Sequence, residues 1–369
     1  KGAGVVKVDS TRRALGRLAQ AYRRSLKSTK VIAVTGSAGK TTTKHLIHAL
    51  LSQEMQGSAS PKSFNNDIGV PLTLLAAKSS DKFIVCEVGM NAPGEISQLG
   101  ALIEPDLGVI TSIGRAHLGG LGSIEAIAAE KASLLTHLQP GGIAIVNADA
   151  PCLRPLVKLV KSKVLFGESD HADLRLTNRG HESGGWWFEV NGRQRWPLAL
   201  HGRHNAINAL AAVAVAKRLG LDDDAIARGL EAVQPPDMRM TVRQIGPYTI
   251  YNDAYNANPE SMAASLETFG ELAGDARRRI VVLGDMLELG AAGPDLHREV
   301  GARLIDVDRR AGIAHAVMVG ELSQHGATAL GKAWGSQRVT AVAKSDDSAA
   351  DAVGALLRPG DAVLFKASR

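Results

Sequence analysis

Cysteine is nearly absent: Cys86 and Cys152 are the only two in 369 residues. Two thiols cannot make a disulfide framework, which excludes a stapled secreted scaffold. Cys86 lies in an apolar run and reads as a buried thiol. Long hydrophobic runs are missing as well. No stretch approaches 18 apolar residues and no signal peptide opens the chain, so the expectation is a reducing, cytoplasmic setting without stable membrane insertion. Aromatic residues make up only 4% of the chain. They do not interleave with the scattered basic groups Arg12-Arg13, Arg23-Arg24 and Arg277 to Arg279. Those arginines therefore read as solvated helix faces or turns, and no nucleic-acid partner is expected. Repeats and low-complexity segments are absent.

What remains is ordinary for a globular protein: 45% hydrophobic and 22% charged residues, with a net charge of +6. The length predicts two domains, with room for the remnant of a third. The stretch from Lys30 to Lys44, KVIAVTGSAGKTTTK, carries the strongest chemical signal. Its β-branched run (Val31, Ile32, Val34) stops at Gly36, and a helical pattern begins near Gly39. A strand, a glycine turn and a helix N-terminus make an anion site. In such a turn Gly36, Ser37, Ala38, Gly39 and Thr42 surround phosphate, Lys40 reaches the β- and γ-phosphates, and the Thr41 hydroxyl meets Mg²⁺. The usual motif has four residues between its glycines; here there are two.

Repeated strand–helix alternation follows, the signature of a parallel sheet with helices on both faces and ligands at the carboxyl ends of the strands. Residues 1–28 read as a short strand (Val5, Val6, Val8) and a helix. The polar SPKSFNNDIGVP reads as a loop over the nucleotide site. Glu87 closes the strand Phe83 to Cys86, where a Mg²⁺ carboxylate belongs. His117 falls in the loop after the strand Leu107 to Thr111. Lys131 lies in a helix from Ser123, and on periodicity alone it is a solvated lysine. Asn147 and Asp149 follow another strand. Residues 163–200 read as an antiparallel patch with Trp186, Trp187 and Trp196 as its core. The next helix opens with His204, Asn205 and Asn208, which either cap it or line a site. From about Gln234 a second α/β unit begins, with Asp253, Asn256 and Asn258 in one loop and Asp285 and Glu288 in another.

Several blocks together resemble the Mur ligases: TGSAGKTTTK, KSFNNDIGVPLTLL, EVGMNAPGEI, ITSIGRAH, NADAP, GRHNAINALAAVAVA, DAYNANPESMAASL, LGDMLELG and LFKASR. They are most similar to the branch that adds D-alanyl-D-alanine. The resemblance implies a central P-loop-type parallel-sheet ATP-binding domain (residues 29–234) and a Rossmann-like α/β C-terminal domain (235–369). Residues 1–28 would be the remnant of an amino-terminal domain that binds the UDP sugar, the chain resembling a core trimmed at both ends. The implied activity is ATP-dependent ligation of D-alanyl-D-alanine to UDP-N-acetylmuramoyl-tripeptide through an acyl phosphate, by a monomer, in peptidoglycan precursor synthesis.

By the same resemblance Thr41 and Glu87 hold one Mg²⁺ and His117 a second, and Lys131 is carbamylated by CO₂. A free ammonium, with a reference pKa of about 10.4, would repel Mg²⁺, whereas a carbamate offers it an anionic oxygen. Lys131 stands in AEKASLL, a departure from the commoner AKGE-type run. Asn205 and Asn208 would line the adenine side, and Arg239 would contact phosphate, with Met238 in place of the usual glycine. Asp253, Asn256 and Asn258 would lie near the ribose and the peptide, and Lys366 and Ser368 near the incoming dipeptide. The rivals are a sibling ligase adding a diamino acid, a folate polyglutamyl ligase, and a nucleotide-dependent switch that forms no amide.

Overall fold

A computed structural model describes residues 4–182, 185–274 and 276–368. The chain divides into two compact units. The first comprises residues up to Ile113, Ala128–Ala199 and Ile207–Val233; the second comprises Gly114–Ile127, Leu200–Ala206 and the chain from Gln234.

The first unit is built on a nine-stranded sheet. Its strands are β1 (Lys30–Thr35), β2 (Gly57–Ala59), β3 (Phe83–Glu87), β4 (Leu107–Ile110), β5 (Ile143–Asn147), β6 (Lys163–Gly167), β7 (Leu174–Glu182), β8 (Gly185–Val190) and β9 (Gln194–Pro197). They lie in the order β2-β3-β1-β4-β5-β6-β7-β8-β9. Pairing is parallel from β2 through β7 and antiparallel across β7, β8 and β9. β1 is central, paired with β3 on one side and β4 on the other. It is buried from Val31 to Thr35, as expected for a strand covered on both faces.

The second unit has six strands: β10 (Thr241–Ile245), β11 (Tyr248–Asn252), β12 (Arg278–Gly284), β13 (Ile313–Val319), β14 (Val339–Val342) and β15 (Asp361–Lys366). Their order is β10-β11-β15-β12-β13-β14, and every pair except β10–β11 is parallel. Alternation along β12 explains the two layers. Val281 and Leu283 pack with Leu266, Phe269 and Leu304 of two helices, whereas Ile280 and Val282 pack with Ala349 and Val353 of a third. This is the doubly covered α/β architecture that the pattern implied.

Three expectations need correction. No strand forms at Val5, Val6 and Val8, which are exposed. Among the described residues no strand pairs with them. Of the three tryptophans assigned to the antiparallel core only Trp196 is buried; Trp186 and Trp187 are half-buried, and the Arg195 guanidinium sits 3.9 Å over the Trp187 ring.

Arg23 is not a solvated arginine. It reaches from the helix Thr11–Ser25 to three oxygens: Nε donates to Ile103 O at 2.9 Å, and Nη2 donates to Glu104 O at 2.8 Å and Asp106 Oδ2 at 2.9 Å. Ile103 and Glu104 end a helix, whose last carbonyls need donors. The same Asp106 oxygen accepts the N–H of Val31 at 2.9 Å, so this cation is tied to the start of β1. Arg23→Met is expected to leave the Ile103 and Glu104 carbonyls without their donor, while Lys30 Nζ, 3.2 Å from Asp106 Oδ1, still faces the carboxylate, and to destabilise the first unit by about 2 kcal/mol. Hydrogen exchange at the amides of Val31 to Val34 should accelerate accordingly, and unchanged exchange would count against this role.

Candidate active site

β1, β3 and β4 are parallel neighbours, so their carboxyl ends open on one edge. The turn after β1 runs from Gly36 to Gly39 into the helix Lys40–Leu51. Gly36 has φ 154° and Gly39 φ 81°. A Cβ at Gly36 would lie 2.0 Å from Thr111 Oγ1, and one at Gly39 would lie 2.4 Å from Asn208 Oδ1. Conformation and space both require glycine here. The turn is pinned to the end of β4: the N–H of Ser37 donates to Ser112 O at 2.8 Å, and that of Ala38 donates to Ser112 Oγ at 2.9 Å. Lys40 folds back over the turn, its Nζ donating to Gly36 O at 2.8 Å. Thr42 is buried in the first turn of the helix.

Glu87, at the end of β3, is 1% exposed. Its Oε2 accepts the Thr41 hydroxyl at 2.8 Å and lies 3.2 Å from Lys44 Nζ, while Oε1 accepts from Asn65 Nδ2 at 3.1 Å. Lys44, also 1% exposed, donates to Lys62 O as well. The expected metal pair Thr41 and Glu87 is thus brought together. Lys44 and Asn65 were missed. Both lie inside motifs quoted above, TGSAGKTTTK and KSFNNDIGVP, but only the fold says which carboxylate they meet.

Lys131 is 1% exposed, not solvated. Burial first, and then the Lys40 ammonium, push its amine well below the usual lysine range, against the opposing pull of Glu130. The neighbouring Glu130 carboxylate accepts the N–H groups of Gly94 and Ile96, both at 2.9 Å. Asn208, at 7% exposure, stands against Gly39.

The remaining expected residues fall in the second unit. His117 has φ 63°, and its Nδ1 lies 2.6 Å from Glu288 Oε2. Asn205 donates from Nδ2 to His201 O at 2.7 Å. Asn258 caps the helix Pro259–Leu272, its Oδ1 accepting from Ser261 N at 2.8 Å while Ser261 Oγ accepts from Asn258 N at 3.0 Å. Asn256 is exposed, and its Oδ1 accepts from Ala257 N at 2.9 Å. Lys366 is buried, with Nζ 2.9 Å from Asp253 Oδ2 and donating to Asn256 O at 2.7 Å. Ser368 ties two loops together, its Oγ donating to Ala257 O at 3.1 Å and accepting from Leu287 N at 3.2 Å. The acids of GDMLELG also have structural partners: Asp285 Oδ1 accepts from Ser323 N at 2.7 Å. Arg369, which ends LFKASR, lies outside the described residues.

This donor set fits a nucleotide and its metal. The glycine turn opens a helix, a lysine lies over it, and a hydroxyl and a carboxylate stand side by side as hard oxygen donors. Among the described residues no group of three or more His, Cys, Asp or Glu could hold a metal ion. Mg²⁺ takes one or two carboxylates and fills its shell with water and phosphate, and the Thr41–Glu87 pair offers it one carboxylate and a hydroxyl.

Two family models match the chain: the Mur ligase middle domain over residues 34–216, and the Mur ligase glutamate ligase domain over residues 238–369. The chain belongs to the Mur ligase family. It is 37% identical, over 99% of its own length and 78% of the relative's, to the UDP-N-acetylmuramoyl-tripeptide–D-alanyl-D-alanine ligase of Bacillus subtilis. Among solved structures it is similar to MurF from Acinetobacter baumannii, with a TM-score of 0.86, 30% identity and coverage of 99% and 79% of the two chains. It is also similar to MurF ligase from Thermotoga maritima in complex with ADP, with a TM-score of 0.85, 26% identity and coverage of 100% and 84%. No helix among the described residues is long and apolar enough to cross a membrane.

Gly39→Ala is expected to place a methyl group against Asn208 and to impose a left-handed φ on alanine, costing about 1–2 kcal/mol. Calorimetry of the purified variant should register a lower melting temperature. An unchanged melt would mean that the turn tolerates a side chain.

Proposed function

We propose that this chain is the ATP-dependent ligase that joins D-alanyl-D-alanine to UDP-N-acetylmuramoyl-tripeptide, releasing ADP and phosphate, in cytoplasmic synthesis of peptidoglycan precursors. The observation that carries the reading is a match along 99% of the chain to a relative of that name. Residues 29–234 would be the ATP-binding domain, preceded by the segment 1–28, and residues 235–369 the C-terminal ligase domain. The family-model matches at 34–216 and 238–369 support these boundaries.

In this reading the tripeptide carboxylate attacks the γ-phosphate of ATP and ADP leaves, giving an acyl phosphate. The amine of D-alanyl-D-alanine then attacks the acyl carbon, and phosphate departs from the tetrahedral intermediate. Negative charge grows on the transferred phosphoryl group, so groups arranged in advance to meet it lower the barrier. Lys40 would supply a cation and the helix N-terminus a partial positive charge. Thr41 and Glu87 would hold one Mg²⁺, and His117 with Lys131 a second. Bound Mg²⁺ would neutralise phosphoryl oxygens and orient them. Asn205 and Asn208 would meet the adenine side, Asp253 the ribose, and Arg239 a phosphate. Asn256, Asn258, Lys366 and Ser368 would border the peptide substrates, although Asn258 and Lys366 already spend polar atoms on their own backbone surroundings.

The surroundings of Lys131 support its reading as a carbamate. Only a neutral amine attacks CO₂, and burial beside Lys40 disfavours the charged amine. The carbamate would then carry a negative charge next to a lysine and the metals. ¹³C-bicarbonate should give a carbamate resonance in the wild-type protein that Lys131→Ala lacks, and the variant should lose about 10³-fold or more in ligation rate. Near-normal turnover in Lys131→Ala would end this assignment.

The activity itself is tested by phosphate release from Mg²⁺ and ATP with UDP-N-acetylmuramoyl-tripeptide, with and without D-alanyl-D-alanine. Dipeptide-dependent release with a peptide-bonded product by mass is expected, and Lys40→Ala should abolish it. Nucleotide hydrolysis without any amide product would favour a nucleotide switch instead.

A further inference from the structure

Arg239 sits between two residues whose backbone conformations side chains avoid. Met238 and Met240, on either side of it, have φ of 56° and 53°. Left-handed conformations on two methionines are costly and persist only where the surroundings impose them. Here two hydrogen bonds do so: Tyr255 N–H donates to Met238 O at 3.2 Å, and Met240 N–H donates to Asp253 Oδ1 at 3.1 Å. Asp253 is itself fixed. Its Oδ2 accepts the Ser265 hydroxyl and lies 2.9 Å from Lys366 Nζ, and its N–H donates to Phe365 O at 2.9 Å at the end of β15. The clamp delivers the Arg239 guanidinium to the face of Tyr255, with Cζ 3.9 Å from the ring centroid.

We propose that Tyr255 is a positioning residue for Arg239. Its ring holds the guanidinium in the orientation in which that cation meets the nucleotide phosphate, and the strained Met238–Met240 turn sets the arginine over the ring. The proposal rests on the reading that Arg239 binds phosphate. A ring face attracts the flat of a guanidinium and leaves its in-plane N–H donors to bind oxygen, the geometry phosphate needs. A carboxylate partner would compete for those same donors. Tyr255 therefore orders a flexible cation without neutralising it.

The test is the affinity of the full chain for a non-hydrolysable ATP analogue with Mg²⁺, and for AMP, by calorimetry, alongside KM and kcat. Tyr255→Leu should weaken the ATP analogue about fivefold or more and leave AMP within twofold; Tyr255→Phe, which keeps the ring, should restore wild-type affinity. In an Arg239→Ala background Tyr255→Leu should change binding less than twofold, because its effect passes through the arginine. Should Tyr255→Leu fail to fold, Tyr255→Met serves the same cycle. Equal losses for AMP and the ATP analogue, or additive losses in the double variant, would overturn the positioning role while leaving Arg239 as a phosphate ligand. If Arg239→Ala alone left the ATP analogue's affinity unchanged, the phosphate reading would fall and the proposal with it.

Discussion

A carboxylate withdrawn from water must have its charge and its lone pairs met, or it protonates or unfolds the site. Glu87 meets this demand with the Thr41 hydroxyl, the Lys44 ammonium and the Asn65 amide, while its own N–H donates to Ser60 Oγ at 2.9 Å. These partners come from two separate segments, the helix after β1 and the loop at 60–68, and meet at the end of β3. The buried Glu87 carboxylate thus fixes a polar loop that has no regular structure of its own. Gly89 N–H donates to Asn65 O at 2.8 Å, which closes the loop onto the turn after β3.

The parallel sheet makes that convergence possible. Strands in βαβ order all deliver their carboxyl ends to one edge, and β1 sits between β3 and β4. The glycine turn, the Glu87 carboxylate and the Thr111–Ser112 hydroxyls therefore meet even though up to 76 residues separate them. In the second unit the loops after β11, β12 and β15 are knit in the same way, through Ser368 and Lys366.

Much of this was legible beforehand. The run KVIAVTGSAGKTTTK has strand, turn and helix signals in immediate succession, so its local fold follows from short-range physics. The alternation of later strands and helices gave the two α/β sheets and most of their boundaries. Partners distant in sequence were not legible. Lys131 and Arg23 look like surface cations on their helices, and only tertiary packing decides that each is buried. Lys44 is one lysine among several until β3 brings Glu87 beside it. The short β2 carries no period, and Trp186 and Trp187, adjacent on β8 and so on opposite faces, are each half-buried, which residue type alone does not announce. Pairing of Asp253 with Lys366, 113 residues apart, has no local signal at all.

The four tryptophans of the chain are unevenly placed. Trp186, Trp187 and Trp196 all stand on β8 and β9, at the far edge of the first sheet, and Trp334 ends a helix of the second unit. Intrinsic fluorescence is therefore dominated by an antiparallel ribbon five to six strands away from the glycine turn. With Arg195 over Trp187 and Lys217 Nζ 5.8 Å from the Trp196 ring centroid, the indoles there also sit beside cations. Emission from this chain is a gauge of that ribbon, and a reporter of the nucleotide site has to be introduced elsewhere.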